Sequence, residues 1–254
     1  ALDAALAKQG LEGETYGVNF QALDAAKVGE LEPHLKAGIA GGMLMPDPVS
    51  VSDPGALVKG YARLFAERGG RVREADVRLL AQTATGWTAT TSAGAVEARE
   101  VVLALGPWSG DLFRPLGYRF PLGFKRGYHQ QFKAAGNATL NRPVLDAEVG
   151  YVMAPMSRGI RLTTGAEFAL RDASPTPVQL ARVTPRAREV FPLGEAVDAQ
   201  PWLGRRPCMP DMLPVIGRAP RHAGLWFDFG HHHLGFTLGP VSGRLLAEMM
   251  TGAE

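Results

Sequence analysis

The stretches WLGRRPCMPDMLPVIG (202–217) and LWFDFGHHHLGFTLGP (225–240) decide the fold of this chain. The second stretch predicts a buried apolar strand over 225–229, a Gly/His turn, and a helix that begins at Pro240. A helix start exposes unpaired N–H groups and the positive end of the helix dipole. The pattern therefore predicts a place where an anion, or a ring that becomes anionic, can bind.

A uniformly apolar stretch, VVLAL (101–105), predicts a strand buried on both faces, as in a parallel sheet. It runs into Gly106-Pro107-Trp108-Ser109, where a strand meets a helix start. Ligands of open α/β sheets bind at the carboxyl ends of such strands. An ordinary strand–turn–helix is the alternative interpretation, and the residues alone leave both open.

Between these stretches the sequence changes to short, alternating, Gly-punctuated segments at 125–134, 150–157 and 159–169. They predict an antiparallel sheet and a second domain. The helical segment 174–191 contains Pro185, which predicts two short helices or a kink. The apolar side chains of the last helix predict a core-facing stripe formed by Val241, Leu245, Leu246, Met249 and Met250.

The composition excludes several classes of function. Lys and Arg number 27 against 25 Asp and Glu, so there is no basic surplus for nucleic-acid binding. The single Cys208 excludes an internal disulfide and is compatible with a reducing compartment. No apolar run reaches the length of about 18 residues that a spanning helix needs. Since the first ten residues also lack a signal-peptide pattern, we expect a cytoplasmic protein.

Several stretches together resemble the D-amino-acid oxidase/dehydrogenase superfamily of FAD-dependent flavoproteins, most closely the small-subunit type of bacterial D-amino acid dehydrogenase. They are VVLALGPWSGDL (101–112), KRGYHQQF (125–132), YVMAPMSRGIRLTTGAEFA (151–169), WLGRRPCMPDMLPVIG (202–217) and GHHHLGFTLGPVSGRLLA (230–247). The resemblance implies an α+β fold. It combines an incomplete α/β FAD-binding-type domain over 1–112, an antiparallel-sheet substrate domain over 113–200, and a return segment over 201–254.

The strand–GxGxxG–helix that holds the FAD diphosphate in this family has no counterpart in the sequence. Gly38–Gly42 has neither the preceding strand nor the spacing. The chain also opens on Ala1 rather than methionine. We therefore expect a part of a longer protein, or a subunit whose partner chain supplies the missing half.

The resemblance implies that Arg206, at the GxRP position, holds the substrate carboxylate. A planar guanidinium suits this role because it forms a bidentate, charge-assisted pair with a carboxylate. A surface salt bridge is the alternative. The resemblance also implies that Tyr128, His129 or Tyr151 lies over the flavin, although each could instead be a half-buried strand aromatic. Among the adjacent histidines, His233 is a candidate for lining the substrate pocket.

The resemblance places the turn 230–237 against the flavin ring. His232 stands where the family has glycine, which predicts crowding of the ring or an unusual backbone angle. A second turn is implied at the FAD diphosphate and a backbone contact at adenine. The implied cofactor-binding residues are Val77, Gly106, Trp108, Ser109, Gly230, His231, His232, Gly235, Phe236 and Thr237.

The expected reaction is oxidation of the C–N bond of a D-amino acid, or a related amino or imino acid, by hydride transfer to flavin N5. The alternatives are a catalytically inactive fragment that needs a partner chain for FAD, and a sarcosine- or hydroxyproline-type secondary-amine oxidase or dehydrogenase. The resemblance implies a quinone or other electron acceptor, with peripheral contact at the inner membrane as an option. We expect no metal site, since His231 and His233 lack further ligands at suitable spacing.

Overall fold

The computed structural model describes residue 13, residues 15–36 and residues 38–253. In chain order its elements are β1 Gln21–Asp24, α1 Ala25–Leu31, β2 Gly41–Leu44, α2 Pro54–Glu67, β3 Val77–Gln82, β4 Trp87–Thr91, β5 Gly94–Ala98, β6 Val101–Leu103, a 3-10 turn Gly106–Trp108, α3 Ser109–Phe113, β7 Gly123–Ala134, β8 Val144–Asp146, β9 Tyr151–Met156, β10 Gly159–Thr163, β11 Glu167–Phe168, α4 Val178–Val190, β12 Leu193–Ala196, β13 Trp202–Cys208, β14 Val215–Arg218, β15 Leu225–Phe229 and α5 Gly235–Thr251.

The described residues form two compact units. The first unit contains the described residues up to Leu64, with Tyr128–Gly165 and Thr176–Trp202. The second contains Phe65–Gly127, Ala166–Pro175 and the chain from Leu203 onward. These boundaries differ from 1–112, 113–200 and 201–254, and that division remains a prediction about functional segments.

In the first unit, β8, β9, β10 and β7 form an antiparallel sheet, and β12 also pairs with β7. The predicted antiparallel sheet is therefore confirmed. One sheet face carries the buried apolar side chains Phe132, Met153, Ile160 and Leu162. Helix α4 contacts β10 and buries Leu180, Val183 and Ala187.

The prediction of two helices around Pro185 is wrong, because α4 is a single helix with Pro185 in its interior. A proline removes one helical N–H bond and strains the turn before it. Burial of three apolar side chains along α4, each stabilising by on the order of 1–3 kcal/mol, offsets that cost. The hydroxyl of Thr184 donates to the carbonyl of Leu180 at 2.7 Å, so it bonds within α4 rather than capping a new helix.

In the second unit, β6 pairs with β15 in parallel and β14 pairs with β15 antiparallel. Phe227 and Phe229 of β15 lie in the core, at 2% and 1% exposure. Strand β6 is buried on one face only, since Leu103 is 2% exposed while Val102 is 36% exposed. Burial on both faces was therefore a wrong prediction. Within the described chain, β6 has β15 as its single strand neighbour.

Helix α5 begins at Gly235, five residues before the predicted start at Pro240, and Gly252 ends it in the left-handed conformation. Pro240 therefore lies inside the helix, where it removes one intrahelical hydrogen bond. The predicted core stripe is confirmed for Leu246, at 5% exposure. It is wrong for Val241, Leu245 and Met249, which are 39%, 42% and 52% exposed. No helix of the described chain has both the length and the apolar character required to span a bilayer.

Candidate functional site

Three stretches that are far apart in the sequence meet around Pro207 in the second unit. The backbone N–H of His232 donates to the carbonyl of Pro207 at 2.9 Å, and Cys208 forms an antiparallel bridge with His231. A β-carbon added to Gly106 would lie 3.9 Å from Cγ of Pro207. Pro207, the residue after Arg206, therefore lies beside both the turn that follows β6 and the Gly/His turn that follows β15.

Arg206 lies on β13, which is hydrogen-bonded to β7. Its guanidinium occupies the space beside Gly127 of β7. A β-carbon at position 127 would stand 2.6 Å from Cζ and 2.8 Å from Nη1 of Arg206, and real β-carbons do not approach other atoms that closely. Gly127 thus makes room for Arg206. Sequence reasoning missed this residue, although a glycine inside an alternating strand often marks a close approach.

The neighbouring Arg205 has a different position from Arg206. Its Nε donates to the carbonyl of Arg171 at 2.8 Å. Arg171 in turn forms ion pairs with Asp111 at 2.7 Å and Asp172 at 2.8 Å. This network joins β13 to α3, and it was not predicted from the sequence because Arg171 stands outside every motif.

The turn 230–237 contains a buried histidine with an unusual backbone angle. His232 has a φ of 56°, in the left-handed region that favours glycine. Its side chain is 7% exposed, and its Nε2 lies 3.0 Å from both the N and the O of Met209. The unusual backbone angle is therefore confirmed. The imidazole is buried against Met209, and a cofactor contact at His232 stays a prediction.

The other two histidines of the turn differ in exposure. Nε2 of His231 lies 2.9 Å from Oγ of Ser242 and 3.3 Å from Oδ1 of Asp228. Burial raises the pKa of Asp228, and His231 opposes that shift. His231 is thus bonded within the unit, whereas His233 is exposed. His233 is the member of the trio that a ligand can reach.

The start of α5 offers backbone donors to a ligand. Leu234 precedes the helix without a side-chain capping bond, and the first N–H groups of a helix have no partner inside it. A β-carbon on Gly235 would lie 3.3 Å from Cβ of His231, so a larger residue at that position would crowd the first turn. Phe236 and Thr237 follow with exposed side chains.

This arrangement fits one edge of a flavin. The N1/C2 edge of the ring gathers negative charge on reduction, and a positive helix end stabilises it. The residues that could hold this edge are Gly235, Phe236 and Thr237, through their N–H groups. The fit does not extend to the diphosphate, since the sequence contains no GxGxxG.

The residues implied at the diphosphate and at adenine differ in their exposure and in the sheet to which they belong. Gly106 has a φ of 53° and adjoins Pro207, and Trp108 is 47% exposed. Ser109 is fully buried, and its hydroxyl has no hydrogen-bond partner in the described part of the chain, so its side chain is inaccessible. Val77 begins β3, in a different sheet from β6 and β15.

The first unit contains the remaining candidates. Tyr128 is 3% exposed and its hydroxyl accepts a hydrogen bond from the N–H of Thr176 at 2.7 Å. Tyr151 is 1% exposed, and burial, then Asp146, raises its pKa. Both tyrosine side chains are therefore buried in this structure, and their role over the flavin stays a prediction.

His129 is the accessible member of this group. Its ring stacks on Trp202 with centroids 4.8 Å apart and an angle of 26° between the planes. Burial, then the charge of Arg161, lowers the pKa of His129 to about 4, while Asp198 acts in the opposite direction. The imidazole is consequently neutral at physiological pH.

A cavity of about 280 Å³ lies elsewhere in the second unit, between residues 118–120 and 215–221. It includes neither Arg206 nor the turn 230–237, so we assign it no part in the site. In the described ranges, no three His, Cys, Asp or Glu side chains are grouped to hold a metal ion.

Comparisons with known proteins show the family of the chain. The family described as FAD dependent oxidoreductase matches residues 1–249. A D-amino acid dehydrogenase of Paramagnetospirillum magneticum is 34% identical over 230 residues, which are 87% of this chain and 54% of the relative. A glycine oxidase of Pseudomonas putida is 32% identical over 239 residues, 92% of this chain and 65% of the relative.

Among solved structures, the crystal structure of glycine oxidase from Geobacillus kaustophilus matches with a TM-score of 0.84 and 26% identity. The match covers 98% of this chain and 67% of that structure. The chain thus spans about half to two-thirds of the length of these proteins. Since the family match covers nearly all of the sequence, the chain belongs to the FAD dependent oxidoreductase family.

Proposed function

We propose that this chain forms the part of an FAD-dependent amino-acid oxidoreductase that binds the flavin-ring edge and the substrate carboxylate. The observation that carries the proposal is the meeting of three stretches at Pro207. It brings the strand-end turn, Arg206 and the Gly/His turn together in one unit. The proposed substrate is a D-amino acid or a related small amino or imino acid with a free carboxylate.

In this proposal Arg206 binds and orients the substrate carboxylate through a bidentate pair. The N–H groups of Gly235 to Thr237 bind the anionic edge of the ring, and Gly106 lets the backbone approach the cofactor closely. Bound FAD supplies the two-electron acceptor, and the protein contributes orientation and electrostatics rather than a strong base. The exposed His233 is a candidate for lining the substrate pocket. A quinone or other acceptor would reoxidise the cofactor.

Titration of the purified chain with FAD tests the cofactor half of the proposal. We expect a flavin absorption band that remains stoichiometric with protein after desalting. Gly235→Val should weaken FAD binding, because a side chain there meets His231. Gly239→Ala, on the same helix with no atom within 4 Å of the added carbon, is the matched control and should bind FAD as the wild type does. A chain that retains no flavin at any FAD concentration would contradict autonomous binding.

A dye-reduction assay on the FAD-loaded chain tests the substrate half. D-Alanine and glycine probe primary amines, and sarcosine and hydroxyproline probe secondary amines. The names of two relatives, D-amino acid dehydrogenase and glycine oxidase, support a primary amine as the substrate in this proposal. Faster reduction with sarcosine or hydroxyproline would instead support the secondary-amine alternative.

A second candidate function is a subunit that binds FAD only with a partner chain. The sequence given contains no GxGxxG, so in this candidate the glycine-rich turn at the diphosphate would come from the partner polypeptide. Co-purification with a strand–GxGxxG–helix polypeptide, with flavin present only in the complex, would distinguish this candidate from the first.

A further inference from the structure

The cavity of about 280 Å³ in the second unit lies at the hairpin that joins β14 to β15. Three arginine side chains line it, one from the segment before β7 and two from the hairpin: Arg119, Arg218 and Arg221. A second cavity of about 390 Å³ lies along the same hairpin and shares Arg218 and Arg221 with the first. We call the first cavity, with its three arginines, the hairpin pocket.

The hairpin pocket lies at the opposite end of β15 from the turn 230–237. The hairpin precedes Leu225, the first residue of β15, and the turn follows Phe229, the last. Five residues of extended strand span roughly 16 Å. None of the residues that line the pocket belongs to the turn. A ligand in the pocket is therefore separate from the cofactor edge proposed above.

The charges of the pocket favour an anion. Among the residues that the structure describes, no carboxylate lies within ion-pair distance of Arg119, Arg218 or Arg221. Arginine keeps its charge throughout the physiological pH range, so three like charges line one cavity. An anion would relieve their mutual repulsion, whereas a cation would add to it.

One of the three arginines is held in place by its own unit. Cζ of Arg221 lies 4.5 Å from the ring centroid of Tyr118, and Nη2 of Arg221 donates to the carbonyl of Gly117 at 2.6 Å. Tyr118 is itself 5% exposed, and its hydroxyl lies 2.8 Å from Nδ1 of His222 in the hairpin. Since both the guanidinium and the ring beside it are already ordered, a ligand loses little free energy in fixing them.

The remaining lining of the pocket is mainly apolar. The rings of Phe120 and Phe227 pack edge to face with their centroids 5.3 Å apart, and Val215 and Ile216 of β14 lie beside them. Apolar walls next to a few charged groups suit a ligand that joins an anionic group to an apolar body. The volume is near the lower end of the range of about 300–1,000 Å³ that is usual for ligand pockets, which favours a body of one ring.

We propose that the hairpin pocket binds a soluble phosphate monoester whose organic part is about the size of one ring. A phosphate monoester carries a charge of about −1.5 to −2 at pH 7 and three acceptor oxygens, which suit a cluster of arginines. Guanidinium groups match phosphate oxygens with paired donors. The proposal depends neither on FAD nor on Arg206, and the two proposals can therefore fail separately.

The test uses the full chain without added FAD, with phenyl phosphate as the probe. The indole N–H of Trp87 donates to the carbonyl of Ala223 in the hairpin at 3.0 Å, so its ¹⁵N–¹H resonance reports on this loop. Phenyl phosphate should shift that resonance saturably. Benzoate has the ring but a single charge, and inorganic phosphate has the charge but no ring, so each should bind about tenfold more weakly.

The variants test the arginines. Arg119→Gln and Arg218→Gln should each weaken phenyl phosphate binding about five- to tenfold. Both should melt no lower than the wild type, because each removes one of three like charges. Arg78→Gln changes an exposed arginine of β3 that lines neither cavity of the hairpin. It removes the same charge from the same unit and should leave binding unchanged, so it is the matched control.

Three outcomes would overturn the proposal. The first is phenyl phosphate binding that Arg119→Gln and Arg218→Gln both leave unchanged. The second is an equal loss of binding in Arg78→Gln, which would indicate a general effect of net charge. The third is the absence of any saturable shift with phenyl phosphate. In that case, co-sedimentation of the wild type, but not of Arg218→Gln, with phosphatidylcholine vesicles that contain phosphatidic acid would identify a lipid headgroup as the occupant instead.

Discussion

The guanidinium of Arg206 occupies the position that a side chain at Gly127 would need. A β-carbon at Gly127 would stand 2.6 Å from Cζ of Arg206. The place of the proposed carboxylate-binding group is therefore set by the lack of a side chain on the neighbouring strand. This relationship can be tested without altering Arg206 itself.

We expect Gly127→Ala to displace the Arg206 guanidinium and to raise KM for D-alanine in the FAD-loaded chain. A charge-assisted pair contributes about 1.5–3 kcal/mol, which corresponds to a rise of about ten- to hundredfold. Gly123→Ala on the same strand is the control. Its added carbon lies 3.8 Å from the carbonyl of Cys208, an ordinary contact, so KM should not change. An unchanged KM in both variants would remove Arg206 from the carboxylate site.

The two adjacent arginines should separate binding from stability. Arg206→Ala should abolish turnover of carboxylate substrates, since an unpaired buried carboxylate costs several kcal/mol. Arg205→Met should lower the free energy of unfolding by about 1–2 kcal/mol, because the carbonyl of Arg171 loses its donor, and should leave KM nearly unchanged. Urea unfolding measures the free energy of unfolding of both variants, and steady-state kinetics measure their turnover and KM. The opposite assignment of effects would contradict the proposed roles.

His232 allows the cost of its backbone angle to be measured. His232→Gly and His232→Ala both lose the bond to Met209, but only glycine adopts a φ of 56° without strain. The glycine variant should therefore be the more stable of the two by about 1 kcal/mol in urea unfolding. Met212, with a φ of 64° and 51% exposure, should show a similar gap between its Gly and Ala variants. Equal stabilities at position 232 would mean that the turn relaxes when the imidazole is removed.

Asp228 should make stability depend on pH. Burial raises the pKa of Asp228 above its ordinary value of 3.8. The unfolded chain keeps the ordinary pKa of 3.8, and the folded protein has the raised pKa. Between these two pKa values the folded protein binds the proton more readily than the unfolded chain, so the wild type loses stability as the pH rises through that interval. Asp228→Asn should consequently be more stable than the wild type at pH 7, and the gain should disappear near pH 3. Lower stability of Asp228→Asn at pH 6–7 would instead indicate a stabilising ion pair with protonated His231.

The strands of both units could be predicted from periodicity, because their inward and outward residues alternate or are uniformly apolar. The exposure of Val102 and Met249 could not be predicted from periodicity. An apolar pattern indicates that a surface can be buried, but it does not say whether another segment covers it. The helix at Pro185 was missed for a related reason, since propensity argues against it and tertiary burial of Leu180 and Ala187 decides.

The candidate site was predictable where a motif marks it and not where geometry alone makes it. Arg206 and the turn 230–237 stand in recognisable patterns. Gly127 and Arg171 stand in no such pattern. Gly127 matters because Arg206 approaches it closely, and Arg171 matters because it joins distant segments in a hydrogen-bond network. The roles of Tyr128 and Tyr151 were implied by the resemblance, which does not say which side chain of the sheet faces the site, so these roles stay predictions.

The parallel pairing of β6 with β15 has a consequence for biosynthesis. Val101 pairs with Leu225, so among the described residues the strand that carries the turn at Gly106 has no partner until Leu225 has been synthesised. In contrast, β9 and β10 are joined by a short turn and can pair as soon as they emerge. Non-local pairing is slow because the intervening loop must first close. We therefore expect the β6–β15 pairing to form after the β9–β10 hairpin, which leaves the apolar strand β6 exposed for longer during translation.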